Sequence, residues 1–252
     1  MAEYIEGKRP IIEALRAQVP IRRILLSDNV HRDGMIADIL RKANHYDVPV
    51  QTVPRKVLDE KSEYGNHQGV MAETIPFVYA EIEQIEGAAA TYAEEHDGRA
   101  LVVILDHITD AGNFGAIARS AEAVGASGLV IPNKRSASVE TSTYKSSAGA
   151  ILHLPVACVA NVVQVMARLK ERGFWVAGAS EHAEEEIWDA NLKGKIALVM
   201  GNESDGLSRV VQESCDFLVK LPLEGQIESL NVAQASTACM YEWLRQNRAS
   251  AN

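Results

Sequence analysis

At 252 residues the chain is long enough for one large domain or two modest ones, each with its own core. Hydrophobic residues at 47% and charged residues at 23% are ordinary for a globular protein, and no window approaches the roughly 20 uninterrupted apolar residues that span a bilayer. The formal net charge of −9 argues against a generic polyanion binder, and three scattered cysteines (Cys158, Cys215, Cys239) have neither metal-ligand nor redox spacing. No metal and no membrane are therefore expected. The opening residues carry Glu3, Glu6, Lys8 and Arg9 instead of a signal-peptide core, so the expected location is cytoplasmic.

Residues 4–75 read as a small α/β unit. Pro10 suits the first turn of a helix reaching about residue 16. A short strand follows at 21–26, then Met35, Ile36, Ile39 and Leu40 at helical spacing, a strand at 48–53, a short helix at 54–61 and a closing strand at 69–74. Residues 76–98 change character: Glu81, Glu83, Glu86, Glu94, Glu95 and Asp97 surround an Ala-rich centre, which reads as a linker carrying a polar helix. The expected organisation is a first domain at 1–75, a linker at 76–98 and a second domain at 99–252.

From Ala100 onward strands and helices alternate. Apolar runs at 101–105, 128–132, 154–159, 174–179, 196–201 and 217–221 predict strands, with helices at 115–125, 161–172, 206–214 and 231–246. Nearly continuous apolar strands between helices predict a parallel sheet buried on both faces. Ligands in such sheets bind at loops beyond the strands' carboxyl ends, here after Leu105, Pro132, Ala179, Gly201 and Leu221. Charge is unevenly spread: residues 1–75 hold 11 Lys/Arg against 11 Asp/Glu, and the remainder holds 14 against 23. Within the second part, Lys134 and Arg135 sit in a stretch without acids between Glu122 and Glu140, and Lys145 follows. Such patches suit either local nucleic-acid contacts or ordinary solvated surface.

Three loops collect chemistry-bearing residues. The first, 106–115, leads into a helix with Asn113 near its start and Arg119 further along among Ala116, Ile117, Ala118 and Ala121. Asn113 reads as a helix cap or a site residue; Arg119, in small and apolar company, calls for an acid or phosphate partner. The second, Gly201-Asn202-Glu203-Ser204-Asp205-Gly206, reads either as a tight strand-to-helix turn or as a place where a ligand approaches backbone closely. It has no Walker lysine, and no strand is followed by Gly-x-Gly-x-x-Gly, which disfavours NTPase and ordinary dinucleotide readings. In the third, Pro222 and Gly225 stop a strand, and Ser229 or Asn231 begins a helix of small residues (Ala233, Ala235, Ser236, Ala238) suited to a crowded crossing or a subunit interface.

Together these segments resemble the SPOUT class of RNA methyltransferases, specifically the TrmH/RlmB family of ribose 2′-O-methyltransferases. The resemblance covers about residues 100–247 and rests on Asn113-Phe114-Gly115-Ala116 with Arg119, Gly201-Asn202-Glu203 with Gly206-Leu207, and Leu221-Pro222 with Ser229-Leu230-Asn231-Val232-Ala233. The segment Lys145-Ser146-Ser147-Ala148-Gly149-Ala150 is also similar, and Glu6-Gly7-Lys8, Glu13-Ala14-Leu15 and His67-Gln68-Gly69-Val70 look like the RNA-binding domain of the RlmB branch. Ser204-Asp205 and Ala233-Gln234-Ala235 depart modestly from the usual continuations.

The resemblance implies a carboxyl-terminal trefoil knot, where periodicity alone suggests an open doubly wound sheet. It implies S-adenosylmethionine held by backbone around Gly201, Leu221 and Leu230, a homodimer that completes each site, and RNA as substrate. Catalytic roles are implied for Arg119, Asn113, Glu203, Ser229 and Asn231. Arg119 would be the base or the stabiliser of the developing alkoxide; a free guanidinium, with a pKa above about 12, is a poor base. Asn113 would position ribose or phosphate, Glu203 and Asn231 would orient Arg119 and the cofactor loop, and Ser229 would shape that loop. The expected substrate is a guanosine ribose of 23S ribosomal RNA; a transfer RNA and a non-catalytic ribosome-assembly role are the competing readings. His107 is expected to be structural.

Overall fold

The computed structural model describes residues 4–62, 65–202, 205–227 and 229–248. They form two compact units, Met1–Val78 and Tyr79–Asn252.

The first unit runs β1 (Tyr4–Glu6), α1 (Lys8–Arg16), β2 (Ile21–Ser27), α2 (Gly34–His45), β3 (Val50–Val53), α3 (Arg55–Lys61) and β4 (Val70–Thr74). Its sheet has the order β1-β4-β2-β3, with β4 antiparallel to both neighbours and β2 parallel to β3. Leu58 of α3 packs on Leu25, Val53 and Met71 of the sheet. Asp33 caps α2 by accepting from the amides of Met35 and Ile36. The two amino-terminal signature segments meet: the Lys8 amide donates to Gln68 Oε1 at 3.3 Å, and the Gly7 amide to the Val70 carbonyl at 3.3 Å. Gly7, at φ +89°, makes that turn without a side-chain penalty.

The second unit continues with α4 (Ile82–Glu95), β5 (Ala100–Leu105), α5 (Ala111–Ala123), β6 (Gly128–Pro132), α6 (Thr141–Ser146), a 3₁₀ turn (Ala150–Leu152), β7 (Val156–Val159), α7 (Val162–Glu171), β8 (Trp175–Ala179), β9 (Lys195–Met200), α8 (Arg209–Ser214), β10 (Phe217–Val219) and α9 (Val232–Asn247). The sheet is parallel throughout, in the order β10-β8-β9-β5-β6-β7. All six residues of β5 are buried, as expected for a strand covered on both faces.

Alternation along the strands sorts the core into two layers. Ala100, Val102, Ile104, Val130, Val176, Ala197 and Val199 pack with Ile85 and Ala89 of α4, Met166 and Leu169 of α7, and Val211 of α8. On the other face α5 contacts β6 and α9 contacts β9, with Met240 and Trp243 of α9 almost fully buried. Burying each such Leu, Ile, Val or Met contributes roughly 1.5–3 kcal/mol. The stretch 76–98, expected as a linker with a polar helix, contains α4, whose Ile85, Ala89 and Ala93 recur every four residues and lie in this core.

Candidate active site

The loops after β5, β9 and β10 open at the same end of the parallel sheet, and hydrogen bonds join them. Asp106, directly after β5 and only 1% exposed, is the first link. Its Oδ2 accepts from the Ser208 amide at 2.7 Å, and its Oδ1 lies 2.6 Å from His107 Nδ1. Asn202, after β9, returns a bond from Nδ2 to the His107 carbonyl at 2.8 Å. The first and second loops are thus tied twice.

The second loop is a tight turn. Asn202 and Gly206 exchange backbone bonds of 2.9 and 3.0 Å, with Gly206 at φ +64°. A Cβ on Gly201 would collide with the backbone of Gly206 and Leu207. Gly201 is therefore required by the returning chain, and α8 starts at Arg209, three residues later than the sequence suggests, because Gly206 is held in its pair with Asn202.

The third loop reaches the first through Asn231. Its Oδ1 accepts from the Ala233 amide at 3.0 Å and caps α9, while its Nδ2 donates to Asn113 Oδ1 at 3.0 Å. Asn113 is not the cap of α5. That role falls to Asp110, whose Oδ1 accepts from the Asn113 amide at 2.6 Å, and the Asn113 side chain is left to face Asn231. Gly115 brings α5 against α6: a Cβ there would meet the Thr143 carbonyl at 2.6 Å and the Ser147 amide at 3.0 Å.

The second and third loops, with the loop after β8, line an open cleft of about 160 Å³. Leu207, Leu221, Leu223, Leu230 and Val232 supply an apolar wall, and Ser180, Glu181, His182, Asn202, Asp205, Lys220 and Ser229 supply polar groups. Of the residues expected at the site, Leu221, Leu230 and Ser229 line the cleft, and Gly201 lies between the lining residues Met200 and Asn202. Asn113 and Asn231 are joined to each other outside that lining. Glu203 lies outside the described residues. Arg119 is exposed and has no hydrogen bond or ion pair with any described residue, so its charge is solvated and does not need the acid partner its sequence neighbours suggest. The neighbouring Ser120 fixes α5 to α9 through a 2.7 Å bond to Thr237 Oγ1.

Cys239 also lines the cleft, but burial pushes its thiol up to about 12, so it stays neutral and is no nucleophile. Among the described residues no cluster of His, Cys, Asp and Glu is placed to hold a metal, and no helix is long and apolar enough to cross a membrane. The sequence assigns no role to Asp106, Glu181, His182 or Lys220. The available signal was position: each is among the first polar residues after a strand of the parallel sheet, where such sheets present their ligand loops.

The geometry finds its counterpart in known proteins. Residues 100–241 match the model of the SpoU rRNA Methylase family, and residues 4–80 match that of RNA 2′-O ribose methyltransferase substrate binding. The chain belongs to the SpoU family. Its SpoU relatives include YacO of Bacillus subtilis, named for the TrmH family of tRNA/rRNA methyltransferases, 38% identical over 96% of this chain and 95% of that one. A Staphylococcus aureus protein named for the same family is 36% identical over 96% of this chain and 95% of its own. Among solved structures, the SpoU methyltransferase AviRb of Streptomyces viridochromogenes, crystallised with AdoMet, superposes with a TM-score of 0.67 at 28% identity, covering 97% of this chain and 90% of that one. The expected family, and the expected parallel α/β fold with an amino-terminal substrate-binding domain, are thus both found.

Proposed function

We propose that this SpoU protein transfers the methyl group of S-adenosylmethionine to a ribose 2′-hydroxyl of RNA, with a guanosine of 23S ribosomal RNA as the substrate. The observation that carries the reading is the convergence of the three loops, joined by the Asn231–Asn113, Asn202–His107 and Asp106–Ser208 bonds.

The cleft suits the cofactor. Leu207, Leu221, Leu230 and Val232 offer an apolar wall for an adenine, and Glu181 and Asp205 offer carboxylates for hydroxyl or ammonium groups. When bound, the cofactor supplies an electrophilic methyl on a sulfonium. The chain's own task is positioning and charge. In-line placement of the 2′-oxygen supplies much of the rate, and Asn113, held by Asn231, orients the ribose or its phosphate. Arg119, a solvated fixed cation, stabilises negative charge as the hydroxyl passes its proton to solvent water. Ser229 shapes the cofactor loop, and Glu203 is assigned the orienting role its motif implies. A homodimer closing over the ribose and a knotted carboxyl end belong to the same reading.

Arg119→Ala tests it. Transfer to unmodified ribosomal RNA should be lost while AdoMet affinity, by isothermal titration, stays within about twofold. Retained transfer removes Arg119 from the mechanism. Comparing 2′-O-methyl maps of ribosomal RNA with and without the gene tests the substrate; an unchanged 23S map rejects it.

A further inference from the structure

Lys134 and Arg135 take no part in lining the cleft. They lie in the loop after β6, at the sheet end that carries the site, and both are exposed. Among the described residues neither has a hydrogen bond or ion pair. The other adjacent cations, Lys8-Arg9, Arg22-Arg23, Arg41-Lys42 and Arg55-Lys56, hold at least one ion pair in each pair. The exposed acids flanking the region are engaged elsewhere: Asp110 caps α5, and Glu140 accepts from Ser138 Oγ at 3.0 Å and caps α6.

The loop is also held in place. The Asn133 amide donates to the Val159 carbonyl at 2.8 Å, and the Val139 amide to Tyr79 Oη at 3.1 Å. The Ala137 amide donates to the Ile108 carbonyl at 2.7 Å, which fixes the cationic loop against the loop that leads to Asn113. Arg135 itself sits at φ +52°, a left-handed conformation that glycine adopts more easily and that costs another residue roughly 1–2 kcal/mol.

Building on the proposed RNA methyl transfer, we propose that Lys134 and Arg135 grip backbone phosphates of the substrate RNA beside the target ribose. The planar guanidinium of Arg135 would take one phosphate through paired hydrogen bonds, and the Lys134 ammonium would add a point charge. Such contacts read no bases. They align the strand so that the ribose arrives at Asn113 and Arg119, and each releases condensed counterions on binding.

The test measures binding of an unmodified 23S ribosomal RNA transcript by filter retention between 50 and 300 mM KCl. Neutralising both residues (Lys134→Ala with Arg135→Ala) should flatten the slope of log affinity against log salt by about 1.4–1.8, and weaken binding about tenfold at 100 mM KCl. AdoMet affinity should not change. Arg135→Gly alone should flatten the slope by about 0.7–0.9 while leaving the melting temperature equal or higher, a combination a merely structural residue would not give. Slopes equal to wild type in both variants overturn the proposal and leave the methyltransferase reading standing. A wild-type chain that binds AdoMet but not the transcript overturns the 23S ribosomal RNA reading and this inference with it.

Discussion

Replacing Gly201 with alanine adds one methyl group at the point where the chain returns on itself. The new Cβ would lie 2.5 Å from the Gly206 carbonyl oxygen and closer still to Gly206 C and Leu207 N, all of them backbone atoms that no side-chain rotation can clear. Reaching an ordinary contact of about 3.4 Å moves 206–207 by about 0.9–1.2 Å. The Asn202–Gly206 backbone pair, at 2.9 and 3.0 Å, cannot survive such a shift. Two lost hydrogen bonds at about 0.5–1.5 kcal/mol each amount to about 1–3 kcal/mol. Asp205, Gly206 and Leu207 line the cleft. AdoMet affinity, measured by titration calorimetry, should therefore fall about tenfold to a hundredfold. The melting temperature should fall by about 2–10 °C. Gly87→Ala on α4, whose Cβ meets nothing within 4 Å, is the control: unchanged affinity and about 0.5–1 kcal/mol more stability. Wild-type affinity in Gly201→Ala would mean that this turn does not hold the cofactor.

Three further outcomes are expected. Asn231→Ala should destabilise the chain by about 1 kcal/mol through loss of the α9 cap, and a double-mutant cycle with Asn113→Ala should show coupling of about 0.5–1.5 kcal/mol; strictly additive effects on chemical unfolding would disprove the joining bond. Burial pushes the Cys239 thiol up to about 12 from 9.0, so the folded chain holds that proton more tightly than the unfolded one. Its contribution is complete below about pH 9 and drains between pH 9 and 12, and Cys239→Val should flatten the fall of unfolding free energy there by up to about 1.4 kcal/mol per pH unit; identical slopes would refute this. The Lys8 ammonium, with the Ile36 and Met35 amides, holds Asp33 below its ordinary 3.8. That contribution is present above pH 3.8 and is lost as pH falls further, so Asp33→Asn should melt below wild type at pH 7 and the gap should close in acid.

What could be read in advance follows from how much sequence each feature spends on itself. The β5 and β6 strands are unbroken apolar runs, and a strand buried on both faces leaves no other reading. β1 spans three residues, too few for alternation to register, and α6 is Thr-Ser-Thr-Tyr-Lys-Ser, a helix without an apolar stripe held by its Glu140 capping box and by Gly115 against it. α4 hid its buried stripe because two of its three core positions are alanines among glutamates. At the site, the motif segments identified the loops, but not the buried Asp106 that binds two of them, since its role exists only once the Ser208 amide returns from a hundred residues away.

The most instructive residue is Asn231, because its sequence poses a false choice. Ser and Asn at helix starts are usually caps, and a cap is usually taken as the reason not to assign a function. Here one side chain does both: its carbonyl oxygen closes the free amide of α9, and its amide nitrogen holds Asn113 in the first loop. Capping fixes the side chain in a single rotamer, and a fixed donor is what a positioned partner requires. Asp106 works in the same way, with one oxygen on the Ser208 amide and the other facing His107. Backbone groups left open at the ends of strands and helices are thus satisfied by the same side chains that draw the three loops together. The proposed methyl transfer would draw on that economy, because a loop displaced by about an ångström would misplace the reacting oxygen. Removing Asn231 therefore costs the α9 cap and the hold on Asn113 together.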